Sequence, residues 1–275
     1  MYRSEVDLNA PSISLFYEGT TAAINPAGAY VESLVAHDGR SLIMPRDTQT
    51  MNVNGELRDR GGIPVCTPWF GPGELLGSER QHGFGRNLTW KTMPTEGANN
   101  IHLSLQHLEL QGTSIPEAYK RAAFEMDVVI DVDGDGNPRL LQALTVGNEG
   151  HEAFAELSGF HPYFPLEEGA DVSEYAFGDM ETGDSVRYTQ DQLVETQNLP
   201  FRSGDVTLQG PGINVRIVSE GLPVTFAWTD NTKGICLEPT AAGVADETSP
   251  QNRLLQPGDS RTYRMQITFL PKTAV

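Results

Sequence analysis

The chain has 275 residues, with 37 acidic and 19 basic side chains and a formal net charge of −18 at pH 7. This acidity repels nucleic-acid phosphates and anionic membrane surfaces, so we expect neither as a partner. No stretch approaches the ~20 apolar residues that span a bilayer, and the first residues contain no apolar signal core. The two cysteines, Cys66 and Cys236, lie in apolar segments and are too few for a secreted disulfide scaffold. We therefore expect a cytoplasmic protein with buried, reduced thiols.

Short alternating or apolar runs, separated by Gly, Pro, Asn and Asp, recur along the chain and predict β-strands. In chain order these runs cover residues 30–37, 41–44, 88–93, 101–108, 123–132, 140–146, 154–157, 206–209, 215–219, 224–228, 235–238 and 262–270. Asp38 and Gly39, between the first two runs, predict a hairpin turn. Helical periodicity is scarce, and no repeat or linker interrupts the pattern. We therefore predict an all-β, antiparallel architecture in a single domain over residues 1–275.

Residues 131–136, with the sequence DVDGDG, match the opening of a calcium-binding loop. The match fails at the twelfth position of the loop, where Gln142 stands in place of a bidentate glutamate. Turns favour Asp and Gly for reasons of backbone geometry, so the segment predicts a hairpin turn. His102, His107 and His151 share no metal-ligand spacing with a cysteine or a second histidine. The sequence therefore predicts no metal site.

Two ionisable residues interrupt apolar strands in the second half of the chain. Glu238 stands within ICLEP at 235–239, and His161 stands within LSGFHPYF at 157–164. A carboxylate in an apolar strand loses hydration, which raises its pKa and makes it a better proton acceptor near neutral pH. The two residues together indicate a general base and a general acid, although either one alone would more often be structural.

Two further segments, RGGIPVCTPWFGP at 60–72 and QHGFGRN at 81–87, precede this pair in the chain. Each of the four blocks is moderately specific, but their fixed order is hard to obtain by chance. The ordered set resembles the aldose 1-epimerase family, including its branch of glucose-6-phosphate 1-epimerase-like proteins, over nearly the whole chain. The resemblance implies a large antiparallel β sandwich of the galactose mutarotase type.

The same resemblance implies roles for particular residues. His161 is expected to be the general acid and Glu238 the general base. The residues expected to contact the substrate are Arg60, Trp69, Gln81, His82 and Arg86. Trp69 either stacks on the sugar or packs inside, while Phe70 is expected in the core. Family members also carry an aspartate between the acid and the base, for which Asp205 is the best match and Asp230 a competitor.

An acid and a base on opposite sides of the anomeric carbon suffice to interconvert the α and β anomers of an aldose. No cofactor is needed. We therefore predict an aldose 1-epimerase that acts on a small-molecule sugar or sugar phosphate. Arg60 and Arg86 leave the substrate open, because guanidinium groups bind either neutral hydroxyls or a phosphate.

Other functions stay open at this point. The first alternative is a hexose-6-phosphate 1-epimerase, and the second is a carbohydrate-binding protein without catalytic activity. The presence of both an acid and a base disfavours the second. A glycoside hydrolase is also disfavoured, because it needs two carboxylates and the partner of Glu238 is a histidine. The sequence does not predict the oligomeric state.

Overall fold

The computed structural model describes residues 10–51, 57–73, 76, 78, 80–106, 110, 115–195, 199–229, 234–241 and 253–271. In chain order its strands are β1 (Ile13–Tyr17), β2 (Thr20–Asn25), β3 (Tyr30–Val35), β4 (Asp47–Met51), β5 (Leu57–Arg60), β6 (Val65–Cys66), β7 (Lys91–Met93), β8 (Asn100–Leu105), β9 (Ala122–Val132), β10 (Pro138–Asn148), β11 (Phe154–Ala155), β12 (Gly159–Phe160), β13 (Tyr163–Pro165), β14 (Ala176–Asp179), β15 (Ser185–Arg187), β16 (Leu199–Phe201), β17 (Asp205–Gly210), β18 (Ile213–Glu220), β19 (Val224–Thr229), β20 (Gly234–Thr240), β21 (Leu254–Leu255) and β22 (Ser260–Phe269). The helical segments are three 3-10 helices, Gly85–Asn87, Glu117–Tyr119 and Val172–Glu174, and the helix α1 (Gln190–Glu195). No helix in the described part of the chain has the length and apolarity needed to span a bilayer.

The larger of the two main sheets has nine antiparallel strands in the order β15-β14-β17-β18-β22-β10-β9-β8-β7. Its longest strands, β9 and β10, pair along their full lengths, and alternate residues of both are buried. This is the burial that alternating sequences produce on a pleated sheet with one covered face. The side chain of Asp133 accepts hydrogen bonds from the backbone of Asp135 and Asn137 between these strands. The predicted hairpin turn is therefore confirmed.

The second main sheet contains the order β16-β19-β20-β12-β6, and β13 also pairs with β20. All seven residues of the central strand β20 are buried, which explains its nearly continuous apolar sequence. Ile235 and Leu237 belong to the main hydrophobic core. Because successive side chains of a strand point to opposite faces, Cys236 and Glu238 face away from that core.

The two main sheets share one hydrophobic core. Leu144, Ile217 and Ile267 from the nine-stranded sheet lie in the same cluster of buried side chains as Phe160 and Leu237 from the second sheet. Antiparallel sheets that bury facing sides against each other form a sandwich. A three-stranded sheet β1-β2-β3 and the two-stranded sheets β4-β5 and β11-β21 complete the described structure. The predicted β sandwich is confirmed, and the single-domain organisation stays a prediction.

Two of the predicted strands need correction. Residues 41–44 form a buried irregular segment, so their apolar character reflects core burial rather than strand pairing. The N–H of Met44 in this segment donates to the carbonyl of Tyr163 at 2.9 Å. The run 88–93 is a strand only over Lys91–Met93, whose side chains are exposed. The sequence patterns did not predict β1 and β2.

Candidate active site

His161 and Glu238 meet between neighbouring strands of the second sheet. β12 and β13 both pair with β20, and His161 lies in the short gap between them. This register puts His161 across from Glu238, with Nε2 at 3.0 Å from Oε1. The side chains are only 8% and 7% exposed. The two blocks that predicted an acid and a base are therefore adjacent in space.

Burial controls the protonation of this pair. Loss of hydration raises the pKa of Glu238 to about 8. Burial, and then the positive charges of Arg86 and Arg60, lowers the pKa of His161 to about 3. Each shift disfavours the charged form of the group. At pH 7 the pair therefore consists of a neutral imidazole and a protonated carboxyl, with one proton available for transfer.

Two atoms of the pair have no hydrogen-bond partner among the described residues, namely Nδ1 of His161 and Oε1 of Glu238. The contact between Nε2 and Oε1 has the distance of an ion pair but lacks the alignment of a hydrogen bond. Buried polar groups are almost always paired, and an unpaired one costs roughly 1–3 kcal/mol. Such a cost is expected where atoms bind a ligand or exchange protons.

Backbone hydrogen bonds hold the histidine block against the RGGIP block. The N–H of His161 donates to the carbonyl of Pro64 at 3.2 Å, and the N–H of Tyr163 donates to that of Gly62 at 3.0 Å. Gly61 and Gly62 have φ angles of 77° and 60°. A Cβ would lie 2.1 Å from a carbonyl oxygen at Gly61 and 2.4 Å from one at Gly62. The turn that follows β5 therefore requires both glycines.

His82 lies beside the pair with its backbone in the left-handed region, at φ 61°. Its Nδ1 accepts a hydrogen bond from the N–H of Gly71 at 3.1 Å, which leaves the ring proton on Nε2. Burial, and then the charge of Arg86, lowers the pKa of His82 well below its usual value, so the ring is neutral. The ring meets that of His161 edge to face, with centroids 5.5 Å apart. His82 therefore offers an N–H donor next to the acid–base pair.

Arg60 and Arg86 lie near enough to the acid–base pair for their charges to affect it. Arg86 donates from Nη2 to the carbonyl of Gln81 at 3.1 Å, so the backbone of Gln81 orients this guanidinium group. Arg60 places Cζ 5.5 Å from the centre of the Trp228 ring. Both positive charges lower the pKa of His161, after burial. The site therefore combines an uncharged pair with two cations, on a chain with a net charge of −18. A role for the side chain of Gln81 stays a prediction.

Aromatic rings that the sequence analysis did not select border the pair. Tyr163 stacks on His161 with centroids 4.7 Å apart and an angle of 11°. Trp228 meets the same imidazole edge to face at 6.0 Å, and Phe70 lies 4.8 Å from the ring of His82. Trp228 lies on β19, which pairs directly with the strand that carries the carboxyl group, and the alternation of VTFAWT alone does not indicate this pairing.

The structure corrects the expectations for Trp69 and Phe70. Trp69 is fully buried, donates from Nε1 to the carbonyl of Arg80 at 3.2 Å, and packs against Phe84 and Tyr119. It therefore has no exposed face on which a sugar could stack. Neighbouring residues of an extended segment point to opposite sides, which explains why Phe70, expected in the core, reaches the site instead.

Asp205 is not among the residues that the structure brings to the pair. It lies on β17 of the nine-stranded sheet, where its oxygens accept hydrogen bonds from Nε and Nη2 of Arg216 at 2.8 and 2.5 Å. No contact between Asp205 and His161 or Glu238 occurs in the described part of the chain. The alternative aspartate, Asp230, lies outside the described residues.

A buried polar network ties the sequence blocks together. The hydroxyls of Thr67 and Ser158 lie 2.7 Å apart, and the carbonyl of Thr67 accepts the N–H of Phe84 at 2.9 Å. The N–H of Ser158 donates to Oε1 of Glu156 at 3.1 Å, and the hydroxyl of Tyr263 donates to Oε2. The segment that leads to His161 is therefore anchored through Ser158 to the buried carboxyl of Glu156, and Thr67 connects the segment of His82 to Ser158. Tyr263 links the same carboxyl to the nine-stranded sheet.

Cys236 lies on the same face of β20 as Glu238 and is fully buried. The side chains of His161, Cys236 and Glu238 bring one donor atom each within 4.8 Å of one another. Cys66 is also buried, which raises the pKa of its thiol to about 12. Both cysteines are buried and neither forms a disulfide, so the expectation of buried thiols is confirmed.

Comparison with known proteins gives a consistent family. The family model described as Aldose 1-epimerase matches residues 11–268. A curated relative from Salmonella typhimurium, named "Putative glucose-6-phosphate 1-epimerase", is 32% identical over 121 residues, which cover 44% of this chain and 37% of that protein. A relative of the same name from Escherichia coli is 32% identical over 124 residues, with the same two coverages. The matched region thus spans well under half of either relative.

Solved structures with the same architecture cover nearly the whole chain. A galactose mutarotase-like protein from Lactobacillus casei has a TM-score of 0.71 at 16% identity and covers 94% of this chain and 100% of that one. A galactose mutarotase related enzyme from Lactobacillus acidophilus has a TM-score of 0.69 at 16% identity, with coverages of 95% and 98%. At these identities the similarity shows the fold.

Proposed function

Since this chain belongs to the aldose 1-epimerase family, we propose that it interconverts the α and β anomers of a free hexose by ring opening, with Glu238 as base and His161 as acid. One observation carries the proposal. A carboxyl and an imidazole, both more than nine-tenths buried, lie 3.0 Å apart with unpaired polar atoms among the described residues. Both groups can exchange protons with a sugar, and each has one buried polar atom without a hydrogen-bond partner among the described residues.

The proposed reaction leaves the total number of protons on His161 and Glu238 unchanged. Glu238 removes the proton of the anomeric hydroxyl while His161 gives one to the ring oxygen, and the bond between the anomeric carbon and that oxygen breaks. The open aldehyde turns about its first carbon–carbon bond, and ring closure reverses both transfers. The acid and base therefore exchange roles within one turnover, and no cofactor enters. General acid–base assistance of this kind contributes roughly 10²–10⁴-fold.

The pKa shifts suit this cycle. Ring opening begins with a carboxylate and an imidazolium and ends with a carboxyl and a neutral imidazole. Burial raises the pKa of Glu238 to about 8 and lowers that of His161 to about 3, so it favours the state that accompanies the open sugar. Transfer of one proton from the carboxyl to the imidazole converts the neutral resting pair into the ionised pair that opens the ring, and it requires the 3.0 Å contact between Nε2 and Oε1 to become aligned. Burial therefore makes the ionised pair the less stable one, and this pair loses its charges as the ring opens.

The surrounding groups bind and orient the sugar in this proposal. His82 donates from Nε2 to a hydroxyl, and Trp228 presents an aromatic ring beside the imidazole. Arg60 and Arg86 donate to hydroxyl oxygens of the sugar. These roles follow from where the groups lie relative to the pair.

A rate measurement on α-D-glucose tests the proposal. Polarimetry or proton NMR follows anomer interconversion, with the uncatalysed rate subtracted at every pH. We expect His161→Asn to reduce catalysis at least about 100-fold, because the amide cannot transfer a proton to the ring oxygen. The control is His151→Asn, which changes an exposed histidine. Wild-type protein that binds the sugar without accelerating interconversion would instead establish a carbohydrate-binding protein.

A hexose 6-phosphate is the second candidate substrate. The charges of Arg86 and Arg60 both lower the pKa of His161, so two guanidinium groups lie near the pair. Guanidinium groups bind phosphate through charge-assisted hydrogen bonds. The curated relatives are named for glucose 6-phosphate, although the match covers under half of them. The test compares kcat/KM for glucose 6-phosphate and glucose. If phosphate recognition is correct, Arg86→Ala removes the preference for the phosphorylated sugar, whereas the control Arg264→Ala, at an exposed arginine paired with Glu220, retains it.

A further inference from the structure

The unexplained neighbour of the acid–base pair is Cys236. Its side chain contributes a sulfur atom to a group in which an imidazole nitrogen, a thiol sulfur and a carboxyl oxygen all lie within 4.8 Å of one another. Three side chains with nitrogen, sulfur and oxygen donors are a ligand set that Zn²⁺ accepts, with a fourth position left for water. Epimerisation as proposed above uses only two of them.

An unpaired atom points to a ligand in the same place. Within the described residues, Oε1 of Glu238 is buried without a hydrogen-bond partner. A cation bound by the trio would satisfy this oxygen, and Nε2 of His161, 3.0 Å away, would be its imidazole ligand. This observation is independent of the spacing of the three donors, and both lead to the same position in the fold.

The geometry requires only a small adjustment. Ligand bonds to Zn²⁺ of ~2.0–2.3 Å place neighbouring donors on the order of 3–4 Å apart. His161 and Glu238 are already at 3.0 Å, so the sulfur of Cys236 is the atom that has to approach. The three donor atoms lie within 4.8 Å of one another, so a shift of about 1 Å would bring the sulfur into range.

The charges of the site select the kind of cation. Arg60 and Arg86 repel any cation, and one carboxyl group cannot replace the six to eight oxygens that Ca²⁺ prefers. Formation of a thiolate–metal bond offsets that repulsion for metals with affinity for sulfur. The donor set therefore favours Zn²⁺ or Co²⁺ over Mg²⁺ and Ca²⁺.

We propose that His161, Cys236 and Glu238 form a binding site for a sulfur-seeking divalent cation, and that Zn²⁺ bound there inhibits the protein. The inhibition rests on the proposed function, because the metal occupies the lone pairs that exchange protons with the sugar. Metal-binding histidines of resident sites almost always donate their second ring nitrogen to a partner, and His161 has none among the described residues. The site therefore fits a reversible inhibitor and not a built-in cofactor.

Binding of Co²⁺ to the purified chain tests the site without reference to catalysis. We expect a near-ultraviolet absorption band from thiolate-to-cobalt charge transfer, which added Zn²⁺ abolishes by displacement and Mg²⁺ leaves unchanged. Loss of a partner outside the ligand set alone weakens metal binding roughly 10–100-fold. Cys236→Ala, which removes a ligand, is therefore expected to weaken Co²⁺ binding more than about 100-fold. Cys66→Ala removes the other buried cysteine and is expected to retain the band.

The outcomes separate the two proposals. A band that is absent from the wild type, or that Cys66→Ala removes and Cys236→Ala retains, overturns the metal site whether or not the protein epimerises sugars. A band with the expected dependence on Cys236 supports the site even if no sugar is converted. If anomer interconversion is found, micromolar Zn²⁺ is expected to suppress it and a chelator to restore it, while undiminished turnover with the band fully developed contradicts inhibition.

Discussion

Glu156 and Glu238 are two buried glutamates that differ in the hydrogen bonding of their carboxyl oxygens. Burial raises the pKa of both carboxyl groups above the usual value. Glu156 accepts hydrogen bonds from the backbone of Ser158 and the hydroxyl of Tyr263, and Arg261 lies 4.0 Å away. Glu238 leaves Oε1 without any such bond in the described structure. Both carboxyl groups are therefore buried, but both oxygens of Glu156 accept hydrogen bonds, whereas Oε1 of Glu238 accepts none in the described structure.

The difference separates a structural from a functional role. A buried carboxyl with every oxygen bonded joins the segments that it contacts, and its bonds strengthen in the low-dielectric interior. A buried carboxyl with an unpaired oxygen reduces stability and keeps that oxygen available to a substrate. In the proposed mechanism Glu156 therefore holds the framework of the site, and Glu238 performs the chemistry.

The largest expected effect separates these roles by activity. Glu238→Gln preserves the shape of the side chain and removes the base, so anomer interconversion is expected to fall roughly 10²–10⁴-fold. Near pH 4.5, where the native carboxyl is protonated and the amide resembles it, thermal unfolding is expected to change little, because no hydrogen bond of the described structure depends on Oε1. Polarimetry and calorimetry provide the two readouts. Catalysis within about threefold of the wild type would remove Glu238 from the mechanism.

The pH dependence of stability sharpens the comparison. A carboxyl whose folded pKa is raised to about 8, from an ordinary value of 4.5, stabilises the fold fully at pH values below 4.5. This contribution is lost as pH rises towards about 8. We therefore expect the free energy of unfolding of the wild type, minus that of Glu238→Gln, to decrease over this interval by an amount on the order of a few kcal/mol. Denaturant titrations at several pH values measure it, and a constant difference contradicts the raised pKa.

Glu156→Gln is expected to affect stability more than chemistry. The amide retains one acceptor but presents a donor to Ser158 or Tyr263, so a loss of roughly 1–3 kcal/mol is expected. Activity should fall less than tenfold, because the side chain is not part of the acid–base pair. Denaturant unfolding and polarimetry on the same preparation compare the two effects. Normal stability with a loss of activity as large as that of Glu238→Gln would reverse the two roles.

Tyr263→Phe removes a single hydrogen bond and should have the smallest effect of this series. The buried oxygen of Glu156 loses its hydroxyl donor, which is expected to cost about 1–3 kcal/mol, at the lower end because the other oxygen keeps its bond to Ser158. Combining it with Glu156→Gln in a double-mutant cycle measures the coupling. Additive losses of stability would show that the two side chains act independently.

Much of the fold followed from alternation. β9 and β10 are long, and each has one covered face, so the period of two is visible in their sequences. β12 has two residues and β13 has three, which is too short for any period to appear. The apolar run 41–44 satisfied the pattern of a strand while serving as an irregular part of the core. In such short runs, strand pairing and core burial favour the same apolar residues, so composition does not distinguish a strand from an irregular buried segment.

The ordered motifs identified His161, Glu238 and His82, because each belongs to a block of unusual composition. Trp228 lies in an ordinary apolar strand, and only its register beside β20 reveals that it borders the site. Trp69 packs inside, an alternative that the sequence left open, because the motif that contains it does not indicate which residues point inward. Contacts between strands distant in sequence decide such questions, and they are not encoded locally.

The protonation of Glu238 is the central claim of this account, and carbon-13 NMR of the labelled glutamate carboxyl groups measures it directly. The signal that is absent from Glu238→Gln identifies the residue, and its chemical shift is followed from pH 4 to pH 10. We predict a protonated carboxyl at pH 7, with a midpoint near the value of about 8 that burial produces. A midpoint near the ordinary glutamate pKa of 4.5 would contradict the claim.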